Sequence, residues 1–506
     1  MADGMLGWIQ HHRGWRRDLI AAGLGALATA ALPPVHAIPV LLLVVPGLLA
    51  VLAPVASGRT ALRIGFWFGF GHHLFGLYWI TEAVLIDAEH FWWLVPFAVP
   101  AIAAVLALFI GVACMITVQF APGLPRVLAF AGAWGATDLA RQFVATGVPW
   151  NPWGSVWAIP GEVGALMSQP AALVGVHGLT IATLLIAATP CLGRRGMALG
   201  AAGLLAWVGT GAALIRREAG PAPGISVLIV QGNVPQGEKW DAVFANAAVR
   251  RYLNLTRAGI DRARGGGGTM VLWPETAFYP FLLEREPAGR AEIYAAAAGP
   301  ALIGGMRVNP SGQPLNSMMV VDGPGPITQA YDKQHLVPFG EYAPAWLPLQ
   351  IMLGMGSGFA AGNGPATLHI PGLPPVGVLI CYEAIFTGQI VDRDDRPDWL
   401  ANATNDAWFG NSSGPRQHLA AARLRAIEEG LPLVRAANTG ISAAYDAHGR
   451  MLGSLPMNVA DSILVALPGK LPPTWFSRFG LAIPTTLAVS CLVLGALTRL
   501  TKRRMI

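Results

Sequence analysis

The sequence predicts two parts that differ in kind, a helical membrane domain and a separate α/β domain. Of the 506 residues, 54% are hydrophobic and only 12% are charged, whereas soluble domains carry about 25% charged residues. The charge is also unevenly placed, because residues 218–473 hold 18 Lys/Arg against 21 Asp/Glu and the remainder holds 16 against 7. The apolar flanks therefore carry the basic excess, which indicates orientation in a membrane and argues against a nucleic-acid partner.

A membrane-spanning helix requires roughly 20 mainly apolar residues, and eight segments have this character. In chain order they are residues 18–35, 37–56, 64–86, 91–120, 127–145, 164–190, 197–215 and 479–498. Pro33, Pro34 and Pro39 leave only short apolar runs in the first two. We therefore predict a transmembrane domain of about seven helices over residues 1–217. A C-terminal transmembrane helix with a basic cytoplasmic tail is predicted over residues 474–506.

The distribution of basic residues predicts how these segments are oriented. Cytoplasmic connections carry an excess of Lys and Arg. With the N-terminus in the cytoplasm, twelve Lys/Arg lie in the inside segments and four lie in the outside connections near the membrane. This orientation puts both termini in the cytoplasm and residues 218–473 outside it.

Residues 218–473 are predicted to form one layered α/β domain. Runs of β-branched and apolar residues that are typical of strands occur at 224–231, 269–275, 301–308, 317–322, 376–383 and 431–438. Stretches with helical spacing of apolar residues lie between them, at 241–263, 287–297 and 416–430. Strands separated by helices predict layers of both kinds packed together, and about 250 residues are ample for one core.

Three short motifs in this domain carry residues suited to nucleophilic catalysis. "LWPETA" contains Glu275, "YDKQHLVPFGEYAP" contains Lys333, and "ICYEAIF" contains Cys381. Glu275 and Cys381 lie at the ends of predicted strands, and Lys333 lies in a loop after a further strand predicted around 327–331. At such places a rigid scaffold can present a side chain to a pocket. Of the four cysteines, Cys381 alone lies in the polar region, so it has no disulfide partner there.

The chemistry of a thiol explains why these residue types occur together. The thiolate is the reacting form, and an ordinary thiol with a pKa of about 8.5 is mostly protonated at neutral pH. Glu275 can take the proton as a general base and return it to a leaving group. Lys333, kept positive by Glu341, and the backbone N–H of Tyr382 can stabilise an oxyanion. A short helix predicted over residues 384–391 would favour the thiolate through its N-terminal end.

Together these motifs resemble a known superfamily. The glutamate of "WPE", the lysine of "DKQHLVPFGEY" and the cysteine of "CYE" resemble the Glu-Lys-Cys triad of the carbon–nitrogen hydrolase (nitrilase) superfamily. Residues 423–442 resemble its later core segment. The predicted spans, together with residues 230–240 and 405–418, resemble its membrane-bound branch, the apolipoprotein N-acyltransferase family.

The resemblance implies a fold and a reaction. Residues 218–473 would form a nitrilase-like α-β-β-α sandwich in the periplasm, attached to a multi-pass domain in a bacterial inner membrane. An acyl chain would pass from a phospholipid to Cys381 as a thioester, and then to the N-terminal amino group of a diacylglyceryl-cysteine lipoprotein. Such covalent catalysis follows ping-pong kinetics. The partners would be the phospholipid donor, the diacylated apolipoprotein acceptor and the bilayer, with no cofactor and no metal.

The resemblance also assigns residues to the site. Glu275, Lys333 and Cys381 would be catalytic. The supporting or substrate-binding residues would be Glu341, Tyr382, Glu383, Trp240, His335, Asn405 and Trp346. Two alternatives stay open, because Glu341 is either catalytic or only the ion-pair partner of Lys333, and Glu383 either lines the site or braces its loop. Trp346 lies in the apolar stretch 343–362, which we expect to act as a lid that dips into the bilayer.

Two other functions fit parts of the sequence. A membrane-anchored nitrilase-type amidase would need one anchoring helix and not eight. A transporter with a degenerate nitrilase-like domain would need ionisable residues in its spans, where this sequence has few. Asp138 and Arg141 lie near a span and are either functional or structurally paired. The adjacent His72 and His73 lack the i,i+4 spacing of a helical metal site, so no metal is expected there.

Overall fold

The computed structural model describes residues 12–236, 242–263, 268–279, 281–344 and 358–503. The chain divides into two compact units. The helical unit comprises Met1–Thr81, His90–Arg216 and Trp475–Ile506. The α/β unit comprises Glu82–Glu89 and Arg217–Thr474.

α-Helices occupy the apolar segments of the sequence and also occur in the α/β unit. In chain order, the α-helices of the described residues are α1 (Trp15–Ala28), α2 (Leu41–Leu52), α3 (Gly58–Gly76), α4 (Ile80–Leu85), α5 (Ala88–Phe91), α6 (Val95–Thr117), α7 (Leu124–Ala140), α8 (Gly161–Ser168), α9 (Ala171–Ala188), α10 (Gly193–Leu214), α11 (Ala242–Arg262), α12 (Pro287–Ala297), α13 (Gly414–Glu429), α14 (Trp475–Phe479) and α15 (Ala482–Arg503). Each of the eight predicted apolar segments overlaps one helix of 12 to 23 residues.

Only some of these helices have the length and composition of a membrane span. Among the described residues, two helical stretches pass both criteria, Ala88–Thr117 and Ala171–Leu214. Ile38–Leu52 and Ala482–Thr498 are apolar but shorter. In α3, five glycines and two arginines lower the apolar content. Eight spans therefore stay a prediction.

Small residues let the helices of this unit approach each other closely. A Cβ added at Gly69 of α3 would lie 2.8 Å from the Cα of Ala107 in α6. Helix α9 is kinked at Gly175, which has a φ of +65°. A Cβ there would lie 2.2 Å from the ring of Phe476, so both the backbone conformation and the contact require glycine.

A buried ionic cluster connects α7 and α9. Arg141 donates a hydrogen bond to the Asp138 carboxylate at 2.5 Å and another to the carbonyl of Trp150 at 2.9 Å. The second carboxylate oxygen of Asp138 lies 2.8 Å from Nδ1 of His177, whose Nε2 lies 3.2 Å from the side-chain oxygen of Gln142. Because every charged group here has a partner, the geometry favours structural pairing of Asp138 and Arg141.

Two six-stranded sheets form the centre of the α/β unit in its described residues. The strands are β1 (Ser226–Gln231), β2 (Thr269–Leu272), β3 (Ala301–Val308), β4 (Pro314–Val321), β5 (Ala330–Asp332), β6 (Thr367–Leu368), β7 (Val376–Ile380), β8 (Trp399–Thr404), β9 (Leu433–Ala437), β10 (Ser442–Tyr445), β11 (Met451–Leu455) and β12 (Asp461–Ala466). Their orders are β12-β1-β2-β3-β4-β5 and β11-β10-β9-β8-β7-β6. In each sheet three central strands run parallel, β1-β2-β3 and β7-β8-β9, and antiparallel strands flank them.

The alternation of side chains along the strands builds a four-layered domain. Val227 and Ile229 of β1 pack in one core with Val378 and Ile380 of β7, so the two sheets face each other. The alternate residues, such as Leu228, pack against α11 and α12 on the outer face of the first sheet. Helix α13 covers the outer face of the second sheet in the same way. This is the α-β-β-α order that the resemblance implied.

Candidate active site

Cys381 lies at the carboxyl end of the central strand β7. The strand ends at Ile380, and a 3₁₀ helix over Cys381–Ile385 starts at the cysteine itself. The helix predicted over 384–391 is therefore wrong in type and position. Cys381 has a φ of +48°, a left-handed conformation that residues other than glycine seldom adopt. Such conformations persist only where the surrounding structure holds them, and they cluster at active sites.

Lys333 and Glu275 meet at the equivalent end of the other sheet. Glu275 follows β2 and Lys333 follows β5 directly. The Nζ of Lys333 lies 3.1 Å from Oε1 of Glu275, and 3.0 and 2.9 Å from the two carboxylate oxygens of Glu341. All three side chains are buried. Burial disfavours the ammonium ion, but the two carboxylates outweigh it and raise the pKa of Lys333.

Asn316, which the sequence did not single out, joins the two carboxylates. Its Nδ2 donates to Oε1 of Glu275 and to Oε1 of Glu341, both at 2.7 Å. The backbone N–H of Lys333 also donates to the carbonyl of Asn316 at 2.8 Å. Asn316 and its neighbour Ser317 are polar residues within the largely apolar, buried strand β4, which is the sequence signal that could have identified Asn316.

The surroundings of Cys381 favour the neutral thiol. Burial raises the pKa of Cys381, and the negative charge of Glu275 raises it further. The ammonium of Lys333 acts in the opposite direction and lowers this pKa. The net effect is a higher pKa, so the thiol keeps its proton at neutral pH until a base removes it.

Glu383 connects the loop after Lys333 to the turn that carries Cys381. Its Oε1 accepts hydrogen bonds from the hydroxyl of Tyr331 at 2.7 Å and from the backbone N–H groups of Gln334 and His335 at 2.7 and 3.2 Å. Its Oε2 accepts from the backbone N–H of Ile380 at 2.6 Å. Of the two alternatives for Glu383, these four bonds favour the brace.

The other predicted supporting residues differ in their surroundings. His335 is stacked on Phe386 with ring centroids 4.0 Å apart, and its Nε2 lies 3.0 Å from the side-chain oxygen of Gln389. Burial lowers the pKa of His335. Tyr382 is buried and packs edge-on against Phe386 at 5.2 Å.

Asn405 belongs to a buried amide network. Its two hydrogen bonds in that network do not involve the triad side chains. Its Nδ2 donates to the side chain of Gln236 at 2.6 Å, and its Oδ1 accepts from Asn438 at 2.9 Å. These bonds give Asn405 a scaffolding position. Trp240 and Trp346, with most of the expected lid, lie outside the described residues.

A second buried network lies beneath the nucleophile. Strand β8 runs parallel to β7 and brings Asp406 to the same sheet edge as Cys381. Asp406 accepts from Arg435 and from the hydroxyl of Thr404 at 2.5 and 2.8 Å. Its Oδ1 also lies 2.9 Å from Nδ1 of His418, whose Nε2 lies 2.9 Å from the carbonyl oxygen of Cys381. Motif spacing did not identify this network.

The chemistry of this network favours ion pairing over metal binding. The sulfur of Cys381, an oxygen of Asp406 and a nitrogen of His418 lie within 4.8 Å of one another, and such groups are metal-ligand types. Arg435 already supplies a cation next to Asp406, and it lowers the pKa of this carboxyl against the opposing effect of burial. The His418 nitrogen nearest to Cys381 is engaged by a carbonyl oxygen.

Comparisons with known proteins match two parts of the chain to two family models. Residues 230–469 match the family model "Carbon-nitrogen hydrolase", and residues 24–189 match "Apolipoprotein N-acyltransferase N-terminal domain". An apolipoprotein N-acyltransferase of Bradyrhizobium diazoefficiens is 38% identical, over 97% of this chain and 96% of its own. Those of Rhodopseudomonas palustris and Brucella melitensis are 35% and 37% identical, over 96% and 91% of this chain and 96% and 92% of theirs.

Among solved structures, an amidase from Nesterenkonia sp. is similar to part of the chain. It is 15 to 17% identical in its several structures, with TM-scores of 0.35 to 0.36. One of them covers 50% of this chain and 93% of its own.

Proposed function

The chain belongs to the apolipoprotein N-acyltransferase family and is an acyltransferase, and from this premise we propose that Cys381 carries the acyl chain between two substrates. The donor is a membrane phospholipid. The acceptor is the N-terminal amino group of a diacylglyceryl-cysteine lipoprotein. The observation that carries the proposal is the buried cluster of one lysine between two carboxylates, beside a strand-end cysteine whose backbone is left-handed.

In the first half-reaction Cys381 attacks the ester carbonyl of the phospholipid. Glu275 takes the thiol proton as the sulfur–carbon bond forms. The carbonyl oxygen becomes an oxyanion, which Lys333 and the backbone N–H of Tyr382 stabilise. The intermediate then breaks its bond to the glycerol oxygen, and Glu275 returns the proton to that oxygen. The products are a thioester on Cys381 and a lysophospholipid.

In the second half-reaction the acceptor amine attacks the thioester. Glu275 takes a proton from the attacking nitrogen, and the same two donors stabilise the second oxyanion. The carbon–sulfur bond breaks, the amide forms, and the proton on Glu275 returns to the sulfur of Cys381. The enzyme is then in its starting state, as a ping-pong reaction requires.

Labelling with a phospholipid tests the thioester. We expect a radiolabelled acyl chain to remain on the protein and to be released by hydroxylamine. Cys381→Ala should take no label, whereas the control Cys191→Ala, which removes an exposed cysteine of the helical unit, should be labelled like wild type. No label on wild type, or stable label on the Cys381 variant, would contradict the proposal.

We also propose the topology of the chain in the membrane. The transmembrane domain covers residues 1–217, the periplasmic catalytic domain covers 218–473, and the last helix and its tail cover 474–506, giving eight spans of the inner membrane. The bias of Lys and Arg toward the inside segments supports this, and so do the helices of 12 to 23 residues in the eight apolar segments.

Fusions to alkaline phosphatase test the orientation. The phosphatase fused after residue 217 should be active, and fused after residue 506 it should be inactive; the reverse result would contradict the orientation.

A further inference from the structure

We propose that His418, held by Asp406, is a positioning residue that sets the direction and strength of the backbone donor to the oxyanion. The inference rests on the proposed function, because an oxyanion forms only when Cys381 attacks an acyl group. His418 lies on α13 and is fully buried. It reaches the nucleophile through the carbonyl of Cys381 and not through the sulfur.

The hydrogen bonds of His418 identify its donor nitrogen. Nδ1 lies 2.9 Å from the carboxylate of Asp406 and 3.2 Å from a guanidinium nitrogen of Arg435, and Nε2 lies 2.9 Å from the carbonyl oxygen of Cys381. A carbonyl oxygen can only accept, so Nε2 carries a proton and donates a hydrogen bond to Cys381. The Asp406 carboxylate beside Nδ1 is itself fixed by Arg435 and Thr404.

The bond to the Cys381 carbonyl controls the proposed oxyanion donor. The C=O of Cys381 and the N–H of Tyr382 belong to the same peptide group, which is planar and trans. The two groups therefore point in opposite directions, and a contact that fixes the carbonyl also fixes the N–H. Because Cys381 has a φ of +48°, this peptide lies in an orientation that the chain does not favour by itself.

The same bond strengthens that donor. The Nε2–H bond to the amide oxygen continues the chain of hydrogen bonds that starts at Arg435 and Asp406, and hydrogen bonds in a chain polarise one another. Electron density drawn toward the Cys381 carbonyl makes the N–H of Tyr382 a better donor. The sulfur is affected less, because His418 contacts the carbonyl and not the sulfur. We therefore expect His418 to act on the oxyanion and to leave the thiolate nearly unchanged.

Two reactions of the same sulfur separate these effects. Alkylation by iodoacetamide needs the thiolate and forms no oxyanion, whereas thioester formation from a phospholipid needs both. In His418→Phe, thioester formation should fall about 100-fold, as for the loss of one oxyanion donor. Alkylation should change by less than about threefold, because thiolate character is preserved. His418→Gln, which retains an N–H donor, should restore thioester formation to within about tenfold of wild type.

A second variant and a control keep the result interpretable. Asp406→Asn keeps the shape of the side chain and removes a charge that raises the pKa of Cys381. Thioester formation should therefore fall, while alkylation should not become slower. His369→Phe disrupts an exposed His–Asp pair on the same domain and should alter neither rate.

The contrary outcomes are distinct. A wild-type protein that forms no thioester overturns the proposed function itself. A wild-type protein that forms one, with His418→Phe forming it equally fast, overturns the role of His418 alone. Equal losses of both rates in His418→Phe and Asp406→Asn show a structural role only, and also overturn the inference.

Discussion

At the residue scale, the buried charges around Cys381 determine which form of its thiol is stable. Glu275 raises the pKa of the thiol and Lys333 lowers it, so the two partners act in opposite directions on the same sulfur. A resting thiol next to a carboxylate base limits unwanted reaction of the sulfur before an acyl donor is bound. In the proposed mechanism the same carboxylate is the base that removes the thiol proton.

Replacing Glu275 should therefore separate two reactions that usually change together. Glu275→Gln removes the negative charge that raises the Cys381 pKa, so alkylation by iodoacetamide at neutral pH should become faster, roughly tenfold for each unit by which that pKa falls. Thioester formation should be lost, because the amide cannot take a proton. Parallel rate measurements on one preparation test this; slower alkylation in the variant would contradict the assignment of the charges.

Lys333→Met should give the opposite pattern for alkylation. Without the ammonium, the pKa of Cys381 rises further, so alkylation becomes slower at any pH below that pKa. Thioester formation should fall by about 10²–10³-fold from the lost oxyanion donor, in addition to the lost thiolate. The pH dependence of alkylation is the measurement, and its profile should shift to higher pH. A profile that stays in place would show that Lys333 does not act on the sulfur.

At the scale of elements, Glu383 makes one assembly of two segments that are far apart in the sequence. Its oxygens accept from Tyr331, from the loop after β5 and from the last residue of β7. The lysine and the cysteine are consequently held on a common frame across the two facing sheets. Burial raises the pKa of Glu383 and these donors oppose it. A buried carboxylate without such donors would be costly.

Glu383→Gln should lower the stability of the α/β unit, although glutamine has nearly the same shape as glutamate. The amide would direct N–H groups at backbone N–H donors, leaving at least one buried donor without an acceptor, which costs about 1–3 kcal/mol for each such group. Tyr331→Phe removes a single donor and should cost about 1 kcal/mol. Thermal unfolding monitored by protease sensitivity of the α/β unit compares the two. Equal losses of stability would argue against the brace.

The sequence predicted the helices of the α/β unit better than its strands. Residues 241–263, 287–297 and 416–430 correspond closely to α11, α12 and α13, because a long amphipathic period is hard to mistake. Five strands, β6, β8, β10, β11 and β12, were not predicted. The small residues of β8 and β10, with the buried Asn402 in β8, lack the apolar run that indicates a strand. That asparagine accepts from Arg435 of β9 and donates to the carbonyl of Leu379 in β7.

The same limit applies to the site. Glu275, Lys333 and Cys381 were predicted because each lies in a short motif whose resemblance is local. Asn316 and His418 were not, since their importance depends on hydrogen bonds to residues 37 to 41 positions away along the chain. Such pairings arise from the order of strands in the sheets, which the spacing of motifs does not specify.

At the scale of the whole molecule, each unit buries an ionic cluster of similar design. In the α/β unit an aspartate lies between Arg435 and a histidine, and in the helical unit Asp138 lies between Arg141 and His177. Breaking a buried pair by removing one partner is far more costly than breaking an exposed pair. Each cluster therefore makes its unit sensitive to a single neutral substitution.

For the helical unit this sensitivity is testable with a matched pair of aspartates. Asp138→Asn leaves Arg141 buried beside a neutral amide and should destabilise the unit by about 3–5 kcal/mol. Asp18→Asn disrupts a pair in which the aspartate is buried but its partner Arg63 is half-exposed and solvated, so it should cost less than Asp138→Asn. Both variants would be compared in detergent by thermal unfolding followed through tryptophan fluorescence. If the two lower the midpoint equally, the Asp138 cluster contributes no more than a half-exposed ion pair. If only Asp138→Asn lowers it while the thioester still forms at the wild-type rate, the cluster stabilises the helices and takes no part in the chemistry.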